Sequence, residues 1–354
     1  MRKEHILVIR FSALGDVAMV IPVVWSLARQ YPDVRFTVLS KGFARPLFES
    51  LAPNVGFMEA DVKHEYRGIK GLNALYRRLA AKQFTAVADL HNVLRSEFLR
   101  FRFKFGDYHV AHINKNRKGR RHLVKRNHKQ LVQQPTSFEN YVEVFNRLGY
   151  PVTIDFKSVF GDGKGDIRQL PASLSSCLTP EASSQVPLIG IAPFAAHQGK
   201  IYPLVLMQQV IEQLIEQHPQ ARIFFFGRGE QEEEWFGKWC QKWQQCIYVN
   251  HEVSNMMQEL IVMSHLQVML SMDSGNMHLA SLTGIPVVSV WGATHPYAGF
   301  MGWGQKEEDA IQLDFDCRPC SIFGQKKCHR GDYACLYQIK PTTIVEKINT
   351  FITN

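Results

Sequence analysis

The sequence predicts an α/β fold made of two doubly wound halves, and three observations carry the prediction. Apolar runs of strand length alternate with segments of helical spacing from Ile6 to Ile113, and the alternation begins again at Leu188. A stretch rich in Gly, Asp, Ser and Pro, residues 161–186, separates the two series. The 354 residues also exceed what one hydrophobic core usually supports. The expected organisation is a domain over 1–160, a linker over 161–186, a second domain over 187–340 and a final helix in 341–354 that reaches back to the first. Parallel sheets covered by helices on both faces bind ligands at the carboxyl ends of their strands, so a cleft between the halves is the expected site.

In the first half, Ile6 to Arg10 reads as a strand and Phe11 to Gly15 as its turn. From Asp16 to Tyr31 the residues Val17, Val20, Ile21, Val24, Leu27 and Ala28 recur at helical spacing. Strands follow at Val34–Leu39, Val55–Glu59, Ala86–Leu90 and Tyr108–Ile113, with helices at Phe43–Leu51, Gly71–Lys82, Val93–Phe101 and Ser137–Leu148. In the second half, strands are expected at Leu188–Ala192, Ala221–Phe226, Ile247–Asn250 and Gln267–Leu270, and helices at Leu204–Gln217, Gln231–Trp243, Asn255–Met263 and Thr342–Ile352. The run SMDSGNMHLASLTGIPVVSVW, Ser271 to Trp291, reads as the end of a strand, a tight polar turn, a helix and another strand. Its turn, Asp273-Ser274-Gly275, suits an anion. The first N–H groups of a helix lack internal partners, the macrodipole is positive there, and Gly275 admits close approach, while Asp273 could cap the helix or hold a second ligand group.

With 45% hydrophobic and 21% charged residues, the composition is that of an ordinary globular protein. No apolar run is long enough to cross a bilayer. Arg2 and Lys3 before Ile6-Leu7-Val8-Ile9 imitate a signal peptide, but Arg10 and Asp16 interrupt the run, so a buried first strand in a cytoplasmic protein is expected. The net charge of +9 is concentrated in NKNRKGRRHLVKRNHK, Asn114 to Lys129, a stretch that attracts phosphate-rich partners. It lacks interleaved aromatics and any nucleic-acid-binding motif, which argues against nucleic acid.

The motifs Arg10-Phe11-Ser12-Ala13-Leu14-Gly15-Asp16-Val17 before Pro22, and Asp273-Ser274-Gly275-Asn276-Met277-His278-Leu279-Ala280 before Gly284-Ile285-Pro286, resemble those of the heptosyltransferases, glycosyltransferase family 9. Between and beyond them, Ala192-Pro193 through Lys200, Gly227-Arg228-Gly229-Glu230 and Trp291-Gly292-Ala293-Thr294-His295-Pro296 extend the likeness over nearly the whole chain. The resemblance implies a GT-B fold, in which the first domain takes the acceptor and the second the sugar nucleotide. It implies inverting transfer of heptose from ADP-heptose to the inner core of lipopolysaccharide, with no cofactor and no catalytic metal. On it, Asp16 is the general base, and Lys200, Glu230, Asp273, Ser274, Gly275, Asn276, Met277, His278 and Thr294 serve the donor. Ser12, Gly15, His91 and Arg95, with Arg120 and Arg121 of the basic stretch, face an anionic glycolipid acceptor. Such an acceptor implies a monomer touching the cytoplasmic face of the inner membrane through charge.

The chemistry makes sense of these residue types. A sugar hydroxyl is a poor nucleophile and needs a carboxylate to accept its proton, and the start of a helix favours that carboxylate's ionised form. A departing diphosphate builds negative charge that fixed donors such as Lys200 must meet. Two departures stand out: the loop Phe194-Ala195-Ala196-His197-Gln198-Gly199 has no hydroxyl residue, and His91 stands where glutamine is commoner in the family. A nucleotide- or glycan-binding protein without transfer is the alternative reading, and an epimerase on the same double fold would need an acid/base pair within one half. Cys317, Cys320, Cys328 and Cys335 could form a structural zinc site, stay reduced or pair as disulfides, while Cys177, Cys240 and Cys246 read as packing residues.

Overall fold

The computed structural model describes residues 4–106, 108–183 and 186–352. Two compact units emerge: one holds the chain up to Lys115 with Pro135–Lys157, the other holds Asn116–Gln134 with the chain from Ser158 onward.

The first unit contains β1 (His5–Ile9), α1 (Leu14–Ala18), α2 (Val20–Gln30), β2 (Arg35–Ser40), α3 (Arg45–Phe48), β3 (Val55–Glu59), α4 (Gly68–Ala80), β4 (Ala86–Asp89), α5 (Leu94–Lys104) and β5 (His109–His112). After α6 (Arg117–Leu123), which belongs to the other unit, α7 (Ser137–Arg147) completes it. All five strands are parallel, in the order β3-β2-β1-β4-β5. Helices cover both faces, so the central strands are apolar throughout: Ile6 to Ile9 and Ala86 to Ala88 are buried. On one face Leu7, Ile9 and Val87 pack with Leu75 and Leu79 of α4 and Leu99 and Phe103 of α5. Ile9 lies opposite both Leu39 and Asp89, which levels the carboxyl ends of β1, β2 and β4. The strand order reverses between β1 and β4, where an open parallel sheet forms its ligand crevice.

The second unit continues with α8 (Ala172–Ser175), α9 (Pro180–Ser183), β6 (Leu188–Ala192), α10 (Leu204–Gln217), β7 (Arg222–Phe225), α11 (Glu230–Lys242), β8 (Cys246–Tyr248), α12 (Val249–Glu252) and α13 (Met256–His265). It ends with β9 (Val268–Met272), α14 (Gly275–Ser281), β10 (Val287–Val290), β11 (Ala310–Ile311), α15 (Ala334–Tyr337) and α16 (Pro341–Ile352). Its six parallel strands run β11-β10-β9-β6-β7-β8, with the order reversing between β6 and β9.

Three segments differ from expectation. The stretch 161–186, as far as it is described, is more than a linker: Leu170, Leu174 and Leu178 are buried, and Gly165 N–H donates to Ser264 Oγ at 2.9 Å beside α13. Helix α16, expected to reach back to the first domain, packs in the second unit's own core, where Ile344, Val345 and Ile348 join Val210, Ile211 and Leu214 of α10. The basic stretch, expected to attract phosphate-rich partners, is partly tied into the second unit. Within the second unit, Arg120 is buried with its guanidinium 4.3 Å over Phe300 and Nε donating to the Ala298 carbonyl at 3.1 Å. Lys129 Nζ donates to the Asp316 and Arg318 carbonyls, each at 2.7 Å. Arg121 is exposed.

Candidate active site

In the first unit, the turn between β1 and α1 runs through a cis Ser12–Ala13 peptide and leaves Ser12 and Gly15 half-buried. It places Asp16 in the first turn of α1. Asp16 Oδ2 is held from two sides: Ala13 N–H donates to it at 3.2 Å, and Arg10 Nη2 lies 2.5 Å away. Arg10 is almost wholly buried, and burial opposes its charge. Asp16, helped by Tyr141 and Asp89, outweighs that cost and raises its pKa. Arg10 Nη1 donates to the Leu90 carbonyl at 2.7 Å, so the Asp16–Arg10 pair is anchored across the gap between β1 and β4. Tyr141 of α7 fixes the same turn, its hydroxyl donating to the Asp16 carbonyl at 3.1 Å.

His91 follows β4 on the same crevice. Its Nδ1 accepts from Phe11 N–H at 3.4 Å, and its backbone N–H donates to Asp89, a fully buried carboxylate that also pairs with Arg100 at 3.1 Å. Burial and the nearby Arg10 charge push the His91 pKa down to about 3, so the imidazole is neutral at physiological pH. Between pH 6.5 and about 3 the unfolded chain takes up a proton that folded His91 refuses. This contribution to stability is therefore complete above 6.5 and is lost as pH falls through that window. Thermal unfolding followed from neutral to acid pH should show the decline, with a shallower slope in His91→Gln. Arg95 is exposed at the start of α5 and joins Lys63 in depressing the Lys41 pKa, behind burial as the first cause, which marks this sheet edge as cationic.

In the second unit, Ala192 of β6 lies opposite Ser271 of β9, so the loops leaving these strands meet. Lys200 Nζ sits 3.1 Å from Asp273 Oδ2, and Thr294 Oγ1 donates to the same oxygen at 2.8 Å. Asp273 thus neither caps α14 nor points to solvent: Ser274 is the N-cap residue, and Asp273 is buried between Lys200 and Thr294. Ser274 Oγ lies 3.3 Å from Ser271 Oγ, and Asn276 Nδ2 donates to the Phe226 carbonyl at 3.3 Å. Met277 and His278, expected at the donor, are buried within α14. Glu230 is exposed at the start of α11, just after Gly229.

The sequence model of Glycosyltransferase family 9 (heptosyltransferase) matches residues 72–329. The chain belongs to glycosyltransferase family 9. Among curated relatives of this heptosyltransferase family, lipooligosaccharide heptosyltransferase 2 of Campylobacter jejuni is 21% identical over 96% of both chains. Lipopolysaccharide core heptosyltransferase OpsX of Haemophilus influenzae is 23% identical over 83% of this chain and 80% of its own. E. coli heptosyltransferase WaaC, solved with ADP, superposes with a TM-score of 0.67 at 16% identity, covering 98% of this chain and 99% of that one. A family 9 glycosyltransferase from Veillonella parvula reaches 0.72 at 18% identity over 99% and 98%. The fold of this family 9 enzyme is accordingly GT-B.

Sequence reading missed Arg318. This buried guanidinium donates to the carbonyls of Gly292, Leu313 and, at 2.9 Å, Thr294, tying the loop that carries Thr294 to the loop after β11. Gly324 has φ of 82°, and a Cβ there would stand 2.5 Å from the Lys200 stem. Ala293 N–H donates to the Gly199 carbonyl at 2.8 Å and closes the same bundle of loops. Only the Arg318-Pro319 pair inside the CxxC hinted at a constrained turn here. All seven cysteines carry free thiols, and among the described residues no three His, Cys, Asp or Glu side chains converge to hold a metal ion. Cys317, Cys320, Cys328 and Cys335 line one small void with Arg318, and burial pushes the Cys335 thiol up to about 11.

Proposed function

We propose that this enzyme moves a heptose from ADP-heptose to a hydroxyl of a lipopolysaccharide or lipooligosaccharide inner core, with inversion at the anomeric carbon. The observation that carries the reading is the pairing of chemistry with topology: a carboxylate at the first unit's switch point and a lysine at the second's. Asp16 accepts the proton of the acceptor hydroxyl as that oxygen attacks the anomeric carbon, and the bond to the diphosphate breaks on the opposite side. Lys200 and the start of α14 meet the charge that grows on the leaving diphosphate. Glu230 is assigned to the ribose by analogy with dinucleotide folds. Thr294 acts through Asp273 instead of touching the donor. Ser12, Gly15, His91 and Arg95 are assigned to the acceptor, which carries acidic groups suited to this cationic edge. The heptosyltransferase relatives, and the WaaC structures solved with ADP and with ADP-2-deoxy-2-fluoro heptose, support the donor class. Among the described residues no helix is long and apolar enough to cross a membrane, and the acceptor is taken at the cytoplasmic bilayer surface.

Purified protein incubated with ADP-heptose and a delipidated inner-core oligosaccharide should release ADP and yield a product heavier by one heptose residue. Nucleotide binding with no transfer to any of a broad panel of acceptors would instead mark a binding protein on the same fold.

A further inference from the structure

We propose that the outer face of α5, with the adjoining start of α4, docks on an anionic lipid bilayer. Helix α5 is apolar on two opposite sides. Ser96, Leu99 and Phe103 are buried on the sheet side. Leu94, Phe101 and Phe105 recur at i, i+7 and i+11 and so share the other side, while Phe98 is half-buried against the core. Leu94 is 85% exposed, Phe101 58% and Phe105 77%, and the last two rings meet edge-on at 4.7 Å. Packed beside α5, helix α4 adds Ile69 at 70% exposure. One apolar side is enough to seat a helix on a sheet, so the second stripe needs another medium.

The charge around the stripe says which medium. From Arg67 to Lys104 the chain carries nine Lys and Arg against two carboxylates, Asp89 and Glu97. Asp89 is buried against Arg100, and Glu97 lies 3.7 Å from the same guanidinium. Exposed cations are left on both flanks: Arg95 and Arg102 on one, Lys104 on the other, with Lys70 and Arg77 on α4. A helix about 16 Å long with such a stripe and such flanks lies in the plane of an anionic membrane, apolar tips among the acyl chains and cations among the headgroups. Nucleic acid would satisfy the cations but leave Leu94 and Ile69 in water. The assignment deepens the glycolipid reading and rests on it for why a bilayer is near; its test does not.

The full chain is sedimented with vesicles of phosphatidylcholine and phosphatidylglycerol, roughly two to one, and with phosphatidylcholine alone. Binding should favour the mixed vesicles by about tenfold and weaken as salt rises. The double variant Phe101→Ser/Phe105→Ser should lose about tenfold in partitioning with an unchanged melting temperature, since both rings are exposed. Arg102→Gln/Lys104→Gln should flatten the salt dependence. No binding to mixed vesicles, or equal binding by the serine variant, overturns the proposal, as does a stripe substitution that abolishes self-association or nucleic-acid binding while vesicle binding persists. A chain that transfers heptose to the soluble acceptor yet ignores vesicles sinks this surface and leaves the function standing. One that binds vesicles but transfers nothing does the reverse.

Discussion

Asp16→Asn should slow transfer at saturating substrate by about 10²–10⁴-fold, the range usual for a positioned general base. The amide keeps an oxygen for Ala13 N–H, so the turn after β1 retains one of its ties. It removes the charge that balances Arg10, whose guanidinium is buried, and some stability goes with it. Melting temperature therefore has to be read beside rate. ADP affinity is the second control, because the residues assigned to the nucleotide all belong to the other unit. A variant that stays folded, binds ADP and still transfers within tenfold of the parent would remove Asp16 from the chemistry.

Lys200→Met is expected to lower kcat by about 10²–10³-fold, on the order of 3 kcal/mol of leaving-group stabilisation. The lysine also neutralises Asp273, so a loss of rate alone is ambiguous. A double-mutant cycle with Asp273→Asn separates the two roles. If Lys200 serves only to pair a buried carboxylate, the double variant regains most of the activity. If its ammonium meets the diphosphate, the double variant stays slow while its stability recovers, and that is the expected outcome.

Much of this architecture was legible because both sheets are parallel and covered on both faces. Strands such as Ile6–Ile9 and Val268–Met272 must then be apolar throughout, and the turns that follow them stand out as polar breaks. The same logic drew out the turn at Asp273, whereas Asp16 was singled out by the resemblance to the heptosyltransferase family. The Lys200–Asp273 pair was beyond reach, because it depends on β6 and β9 being neighbours although many residues separate them in sequence. Pattern along a chain carries no information on which strands pair. For the same reason the basic stretch looked like a solvated anion trap, whereas Arg120 finds Phe300 and Lys129 finds the Asp316 carbonyl only once the chain is folded. The segment 161–186 was misjudged on its glycines; Leu170, Leu174 and Leu178, one helical turn apart, were the signal of burial there.

Arg318 has a kinetic consequence. By gripping three carbonyls at once it welds the strips around Gly292, Thr294 and Leu313 into a single stiff block, with Gly324 wedged against the lysine stem. Amide exchange should therefore be slow throughout this block, and Arg318→Ala should speed it at all three strips together.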